Sequence, residues 1–120
     1  MRSPTEDIGD FLPLPTAVFH ILVALADRDR HGYSIMQDVS ERTSGNVRLS
    51  AGTLYSSIRR MLEGGLVEEL RDSPEPDCQD ERRRYYRITQ FGRSVALAEA
   101  KRLTDMLTQA RETGLIPKKL

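Results

Sequence analysis

Ser50, Thr53, Ser56 and Arg59 crowd into one short stretch, SAGTLYSSIRR, in which apolar Leu54 and Ile58 recur at helical spacing. Small hydroxyl side chains beside a helix start allow a partner to come close, and the positive end of the helix favours phosphate. Arg59, two turns further on, could reach a phosphate or a guanine edge. A second cluster follows at Arg82, Arg83, Arg84 and Arg87, with no acid among them. This is the chemistry of a nucleic-acid contact. The plainer reading stands beside it: an amphipathic surface helix, and a solvated charge run offsetting the acids just before it.

The elements around these residues decide between the two. Met1 to Pro13 contains Pro4, Gly9 and Pro13 without periodicity and reads as a flexible arm (1–13), disordered until docked. Pro15 and Thr16 open a helix to about Asp27, apolar nearly all round through Ala17, Val18, Phe19, Ile21, Leu22, Val23 and Leu25. Such a helix needs cover on more than one side, so Val18, Phe19 and Leu22 are expected to meet a second copy of the chain. Arg28 to His31 reads as a charged turn, Gly32 to Arg42 as a second helix stopped by Gly45, and Val47 to Leu49 as a short extended piece. Ser50 caps a third helix whose inner stripe is Leu54, Ile58, Met61 and Leu62, ended by Gly64 and Gly65.

Two strands follow, Leu66 to Asp72 and Arg83 to Ile88, joined by the acidic, proline-bearing SPEPDCQD. Alternation puts Tyr85 and Tyr86 on opposite faces, one in the core and one at the surface. Thr89 caps a last helix to about Glu112, before Gly114 and Pro117. Within it Ala96, Ala100, Leu103, Leu107 and Ala110 form a heptad-like seam that calls for a partner. The order is helix, helix, helix, arginine-rich hairpin, long helix. That is a mainly α chain with a small β-hairpin: a winged helix-turn-helix (14–89), a long C-terminal dimerisation helix (90–113) and a tail (114–120).

Other chemistries find little support. The chain has 120 residues, one domain's worth, with 18 lysines and arginines against 18 aspartates and glutamates. A basic footprint must therefore come from segregation: Glu68, Glu69, Asp72, Glu75, Asp77, Asp80 and Glu81 stand against Arg71 alone, and the arginines follow. Cys78 is the single cysteine, which excludes an intrachain disulfide and fits a cytoplasmic protein; neighbouring acids disfavour its thiolate. His20, His31 and Cys78 have no metal-ligand spacing. No phosphate loop, nucleophile elbow or paired-acid arrangement suggests an enzyme or a cofactor. The N-terminus is unlike a secretory signal, and the apolar run from Ala17 to Ala26 spans roughly 15 Å as a helix, about half a bilayer core.

Three blocks, HGYSIMQDV (31–39), SAGTLYSSIRRMLEGGLVE (50–68) and RRYYRITQFGR (83–93), resemble the signature blocks of the PadR family of bacterial transcriptional regulators. The resemblance runs from about Pro13 to Leu107, and the length matches the short subgroup with a single C-terminal dimer helix. It implies a homodimer that binds a pseudo-palindromic operator in double-stranded DNA as a repressor. Ser50, Thr53, Tyr55 and Arg59 correspond to the recognition helix, Arg83 and Arg84 to the basic strand of the wing, and Tyr33 to the start of the supporting helix. Some members of that subgroup bind flat aromatic drugs between tryptophans at the dimer interface, which leaves room for a small-molecule effector. This chain has no tryptophan, so that stacking arrangement is not expected, and Phe19 or Phe11 could line a different pocket.

The expected DNA contacts are thus Tyr33, Ser50, Thr53, Tyr55, Ser56, Arg59, Arg83 and Arg84. The expected dimer contacts are Val18, Phe19, Leu22, Ala96, Ala100, Leu103, Leu107 and Ala110. Base reading falls to Thr53 and Ser56, and phosphate contact to the base of the wing, because an acidic wing tip is repelled by DNA. The alternative is a winged-helix protein-interaction module that does not read DNA, supported by the zero net charge and the acidic loop.

Overall fold

The computed structural model describes residues 4–70 and 84–117, with side chains described from Ile8 onward. Five helices and three short strands follow in the order α1 (Pro4–Phe11), α2 (Thr16–Asp27), β1 (Arg30–His31), α3 (Gly32–Arg42), α4 (Ala51–Glu63), β2 (Val67–Leu70), β3 (Tyr85–Ile88) and α5 (Gln90–Glu112). Fold and family resemblance agree: this is a mainly helical winged-helix chain with a long C-terminal helix.

α2 is the centre of the packing. It lies against α3, α4, α5 and β3. Its Ile21, Leu22, Ala24 and Leu25 are almost wholly buried, with Ile35 and Val39 of α3, Leu54, Ile58 and Met61 of α4, and Val95 of α5 around them. Most of the apolar surface of α2 is therefore covered inside one chain. Val18 and Leu22 sit in that core, 5% and 0% exposed. Phe19 is half-buried at the core's margin, and with Leu22 and Val23 it lines an apolar groove beside α5.

The sheet has the order β1-β3-β2 and is antiparallel throughout. β2 and β3 pair from Val67 with Ile88 to Leu70 with Tyr85. β1, expected as a turn, contributes the third strand by pairing Arg30 with Tyr86 and His31 with Tyr85. This makes β3 the central strand and buries both tyrosines, Tyr85 at 3% and Tyr86 at 4% exposure, so neither is the surface tyrosine that alternation predicts. The His31 ring meets Tyr85 edge-on at 5.3 Å and helps cover its face. Val47–Leu49 takes no strand conformation.

Three helix starts are capped by side chains, which fixes their entry angles. His31 Nδ1 accepts from the Ser34 amide at 3.1 Å, Ser50 Oγ from the Thr53 amide at 3.1 Å, and Thr89 Oγ1 from the Gly92 amide at 2.9 Å. Thr89 Oγ1 also donates to the carbonyls of Gly65 and Leu66 at 2.6 and 3.0 Å, clamping the start of α5 to the entry of β2. Between α3 and α4 the chain reverses through Ser44 and Gly45, with φ of 52° and 80°. The Thr43 hydroxyl accepts from the Val47 amide at 3.0 Å to close that turn.

The N-terminal arm is docked on the core, with a helix that its sequence does not announce. Pro4–Phe11 is helical, and Phe11 sits edge-on to Phe91 of α5 at 5.7 Å. Phe11 also fills the space a β-carbon on Gly64 would need, 2.9 Å away. Docking of Ile8 and Phe11 onto the core supplies what eight residues without helical periodicity do not provide alone.

Two ion networks hold the helices in place. Asp38, 8% exposed, accepts from Arg30 Nη2 at 3.0 Å and Arg42 Nε at 2.6 Å. Arg30 also reaches Asp27, Ser34 Oγ and the Ala24 carbonyl, so one guanidinium joins the end of α2 to α3. On α5, Glu99 is 2% exposed and takes a two-pronged contact from Arg102 at 2.6 and 2.9 Å. That hydrogen bonding outweighs burial and holds the Glu99 carboxyl below its ordinary pKa, with help from the Leu14 backbone.

Candidate nucleic-acid interface

α4 presents two faces because its apolar positions recur at helical spacing. Leu54, Ser57, Ile58 and Met61 are buried. Gly52, Ser56, Arg59 and Glu63, at spacings of four, three and four, are exposed along the opposite line. Leu62, expected inward, is 36% exposed at the edge of the buried face.

The first turn of α4 carries the polar groups closest to the positive helix end. Ser50 Oγ donates to Thr53 Oγ1 at 3.1 Å, which leaves the Thr53 hydroxyl proton free to face outward. Ser56 Oγ donates to the Thr53 carbonyl at 3.2 Å and is exposed. Tyr55 leaves the helix on the α3 side, 49% exposed. A β-carbon on Gly32 would fall in the space of the Tyr55 hydroxyl and 2.9 Å from its Cζ. Glycine at the head of α3 thus lets the two helices of the helix-turn-helix meet through that ring. Beside it Tyr33, 58% exposed, lies parallel to the His31 ring with centroids 6.5 Å apart. Tyr33, Ser50, Thr53, Tyr55, Ser56 and Arg59 therefore occupy one exposed region around the start and outer face of α4.

The arginines separate by what they face. Arg30 and Arg42 meet Asp38, Arg102 meets Glu99, and Arg87 meets Asp29 at 3.0 Å. Hydrogen bonding to Asp29 holds the Arg87 guanidinium above its usual pKa, as Asp38 does for Arg42. Arg84 is exposed and lies 3.4 Å from Glu69. An exposed pair of this kind contributes at most ~1 kcal/mol, so Arg84 can exchange Glu69 for a phosphate. Arg83 lies outside the described residues, as do Arg82, Cys78 and the acidic loop. Among the described residues, Arg48, Arg59, Arg60, Arg93 and Arg111 have no carboxylate partner; the first three are exposed on or beside α4, and the other two lie on α5.

Arg48 was not among the expected contacts. It lies two residues before the Ser50 cap, with a guanidinium nitrogen 3.6 Å from where a β-carbon of Gly45 would stand. Its sequence signal is an arginine just outside a well-capped helix start, where α4 offers its positive end. Burial raises the pKa of the Tyr86 phenol behind this region, and Glu69 reinforces the shift. The group remains neutral and structural. Among the described residues no cluster of histidine, cysteine or acid side chains could hold a metal ion.

A second, chemically different surface lies between α2 and α5. A groove of about 260 Å³ is lined by Phe19, Leu22, Val23, Ala96, Leu97 and Ala100, together with Ala26, Ile88 and Arg93. Leu97 is 71% exposed at its rim, and Met106 and Leu107 are 52% and 43% exposed further along α5. Of the expected partner-facing residues, Ala96, Ala100, Leu103 and Ala110 are half-buried and Leu107 is exposed. Among the described residues no helix is long and apolar enough to cross a membrane.

The sequence profile of the PadR-like transcriptional regulator family matches residues 21–98. Transcriptional regulator Rv3488 of Mycobacterium tuberculosis is 36% identical over 91 residues, covering 75% of this chain and 77% of that protein. An uncharacterised protein of Lysinibacillus sphaericus is 30% identical over 99 residues, 77% of this chain and 87% of its own length. In fold, the chain superimposes on a transcriptional regulator from Clostridium thermocellum with a TM-score of 0.69 and 21% identity, covering 97% of this chain and 100% of that one. Helix-turn-helix, wing, long C-terminal helix and sequence agree: the chain belongs to the PadR-like family of transcriptional regulators and is a DNA-binding regulator, not an enzyme.

Proposed function

We propose that this regulator acts as a homodimeric repressor in the cytoplasm, placing α4 of each subunit in successive major grooves of a pseudo-palindromic operator, about 34 Å apart. The observation that carries this reading is the placement of uncompensated charge. Arg48 and Arg59 stand at the start and along the outer face of a capped helix whose exposed line is otherwise small and polar, while Arg30, Arg42, Arg87 and Arg102 are held by acids. Thr53 and Ser56 are the base-reading positions. Ser50, Tyr33, Tyr55, Arg59 and Arg48 contact the backbone around them, and Arg84, with Arg83, adds phosphate contacts from the wing.

The second subunit covers the apolar surface made by Phe19 with Ala96, Leu97, Ala100, Leu103 and Leu107, continuing to Ala110. This surface is contiguous and strongly apolar, and α5 extends it beyond the core. An effector bound between subunits relieves repression by favouring a different spacing of the two α4 helices, to the extent of its differential affinity for the two states.

Footprinting on the DNA upstream of the protein's own gene tests the reading. The expected result is protection of two segments one helical turn apart, lost when Arg59 and Arg48 are both replaced by alanine. Absence of protection there and at neighbouring promoters in low salt would favour a winged-helix module that binds protein instead.

A further inference from the structure

Most glycines of the described residues have a structural reason within the chain. Gly32, Gly64 and Gly92 have protein atoms where a β-carbon would go, and Gly45, Gly65 and Gly114 have φ of 80°, 76° and 81°. Gly52 has neither reason. It is exposed in the first turn of α4, outside the left-handed region, and the nearest atom to a built β-carbon is Ser50 Oγ at 4.0 Å. Gly9 is also open, but it lies in α1 and not on the exposed line of α4. A side chain at position 52 would therefore meet nothing inside the chain and would project from the exposed face of α4.

We propose that Gly52 sets how closely α4 approaches the floor of the DNA major groove. Its bare α-carbon seats against a base edge, and any side chain there would hold the helix off. The proposal rests on the DNA-reading role of α4 and names the position where that reading is tightest. The exposed line of α4 is graded in the required sense: no side chain at Gly52, a hydroxyl at Ser56, a long cation at Arg59 and a carboxylate at Glu63. Phosphates repel the Glu63 end and attract the amino end, so the helix enters by its first turn and Gly52 leads. Close approach lets Thr53 and Ser56, whose side chains are short, reach base edges at hydrogen-bond distance.

The test uses the full chain with Gly52→Ala and Gly52→Gln. Each is melted thermally and titrated by fluorescence anisotropy against two duplexes. One is a duplex enriched from a random-sequence pool by the unsubstituted chain; the other is a scrambled duplex of equal length and composition. Both variants should melt at or above the unsubstituted temperature and bind the scrambled duplex unchanged. Affinity for the enriched duplex should fall about tenfold for alanine, the scale of one lost base contact, and further for glutamine. Equal affinity of Gly52→Ala for the enriched duplex, or a lowered melting temperature, would overturn the proposal. If the unsubstituted chain enriches no sequence, the DNA-reading role itself fails, a result distinct from a failure at Gly52 alone.

Discussion

Gly92→Ala should unfold this protein more easily although alanine is the better helix former. Gly92 is in the first turn of α5, and its missing side chain faces the carbonyl of Leu66. An added β-carbon would overlap the Leu66 oxygen, stand 2.9 Å from the carbonyl carbon and 3.1 Å from Ile88 Cγ1. Restoring an ordinary C···O separation of roughly 3.3 Å requires α5 to retreat by on the order of 1 Å. The same carbonyl accepts from the Thr89 amide and hydroxyl, each at 3.0 Å, and the hydroxyl also reaches Gly65 O at 2.6 Å. A retreat of that size stretches all three beyond hydrogen-bond range, at about 1 kcal/mol each, and loosens the packing of Val95 at about 1 kcal/mol more. Helix propensity returns roughly 1 kcal/mol. The net loss is about 3 kcal/mol, a large part of the ~5–15 kcal/mol that holds a small domain together. Urea unfolding at fixed protein concentration should show a midpoint lower by roughly 2 M if m is near 1.5 kcal/mol/M. An unchanged or higher midpoint would refute the close-packing argument, because propensity alone raises it.

Asp38→Ala leaves Arg30, 11% exposed at its side chain, facing only the half-exposed Asp27. It should cost about 3 kcal/mol in urea unfolding, and Asp38→Asn less; a loss below about 1 kcal/mol for alanine would mean the network contributes little. The Glu99 carboxyl has a lowered pKa in the folded chain, so its contribution is complete above the unfolded value of ~4.3 and disappears as pH falls through the lower folded value. The stability gap between the unsubstituted chain and Glu99→Gln should therefore be constant near neutrality and close only below about pH 4; a gap that grows on acidification contradicts the sign. Arg59→Ala and Arg48→Ala should each reduce the salt slope of DNA binding by about one, while Arg87→Ala, whose cation is held by Asp29, leaves it unchanged. Leu97→Glu combined with Leu107→Glu should convert the species in sedimentation velocity to monomer without lowering helix content; an unchanged sedimentation coefficient would remove the α2–α5 groove from the partner surface.

The elements that specify themselves locally were legible in the sequence. α4 announces its start by Ser50 and its inner face by Leu54, Ile58 and Met61; α5 announces its start by Thr89 and its end by Gly114. Elements that exist through distant partners were not. β1 is two residues long and is a strand only because β3 lies beside it. That same pairing buries Tyr85, which alternation alone cannot foresee. α1 forms where Phe11 finds Phe91 and Gly64, and most of α2 is covered by its own chain. At the interface, the polar face of α4 could be read from spacing. Which arginines are paired with acids could not, because it depends on carboxylates brought near by folding, Asp29 to Arg87 and Asp38 to Arg30.

The central claim is that the outer face of α4 lies in the DNA major groove, and a tethered cleavage reagent tests it most directly. In a Cys78→Ser background, an iron chelate is attached through Ser56→Cys on α4 or, as control, through Met106→Cys on the exposed side of α5. With a duplex enriched by the unsubstituted chain, the reagent at position 56 should cut in two windows about 34 Å apart, and the reagent at 106 should cut weakly or not at all. Strong cutting from position 106 with none from position 56 would contradict the account.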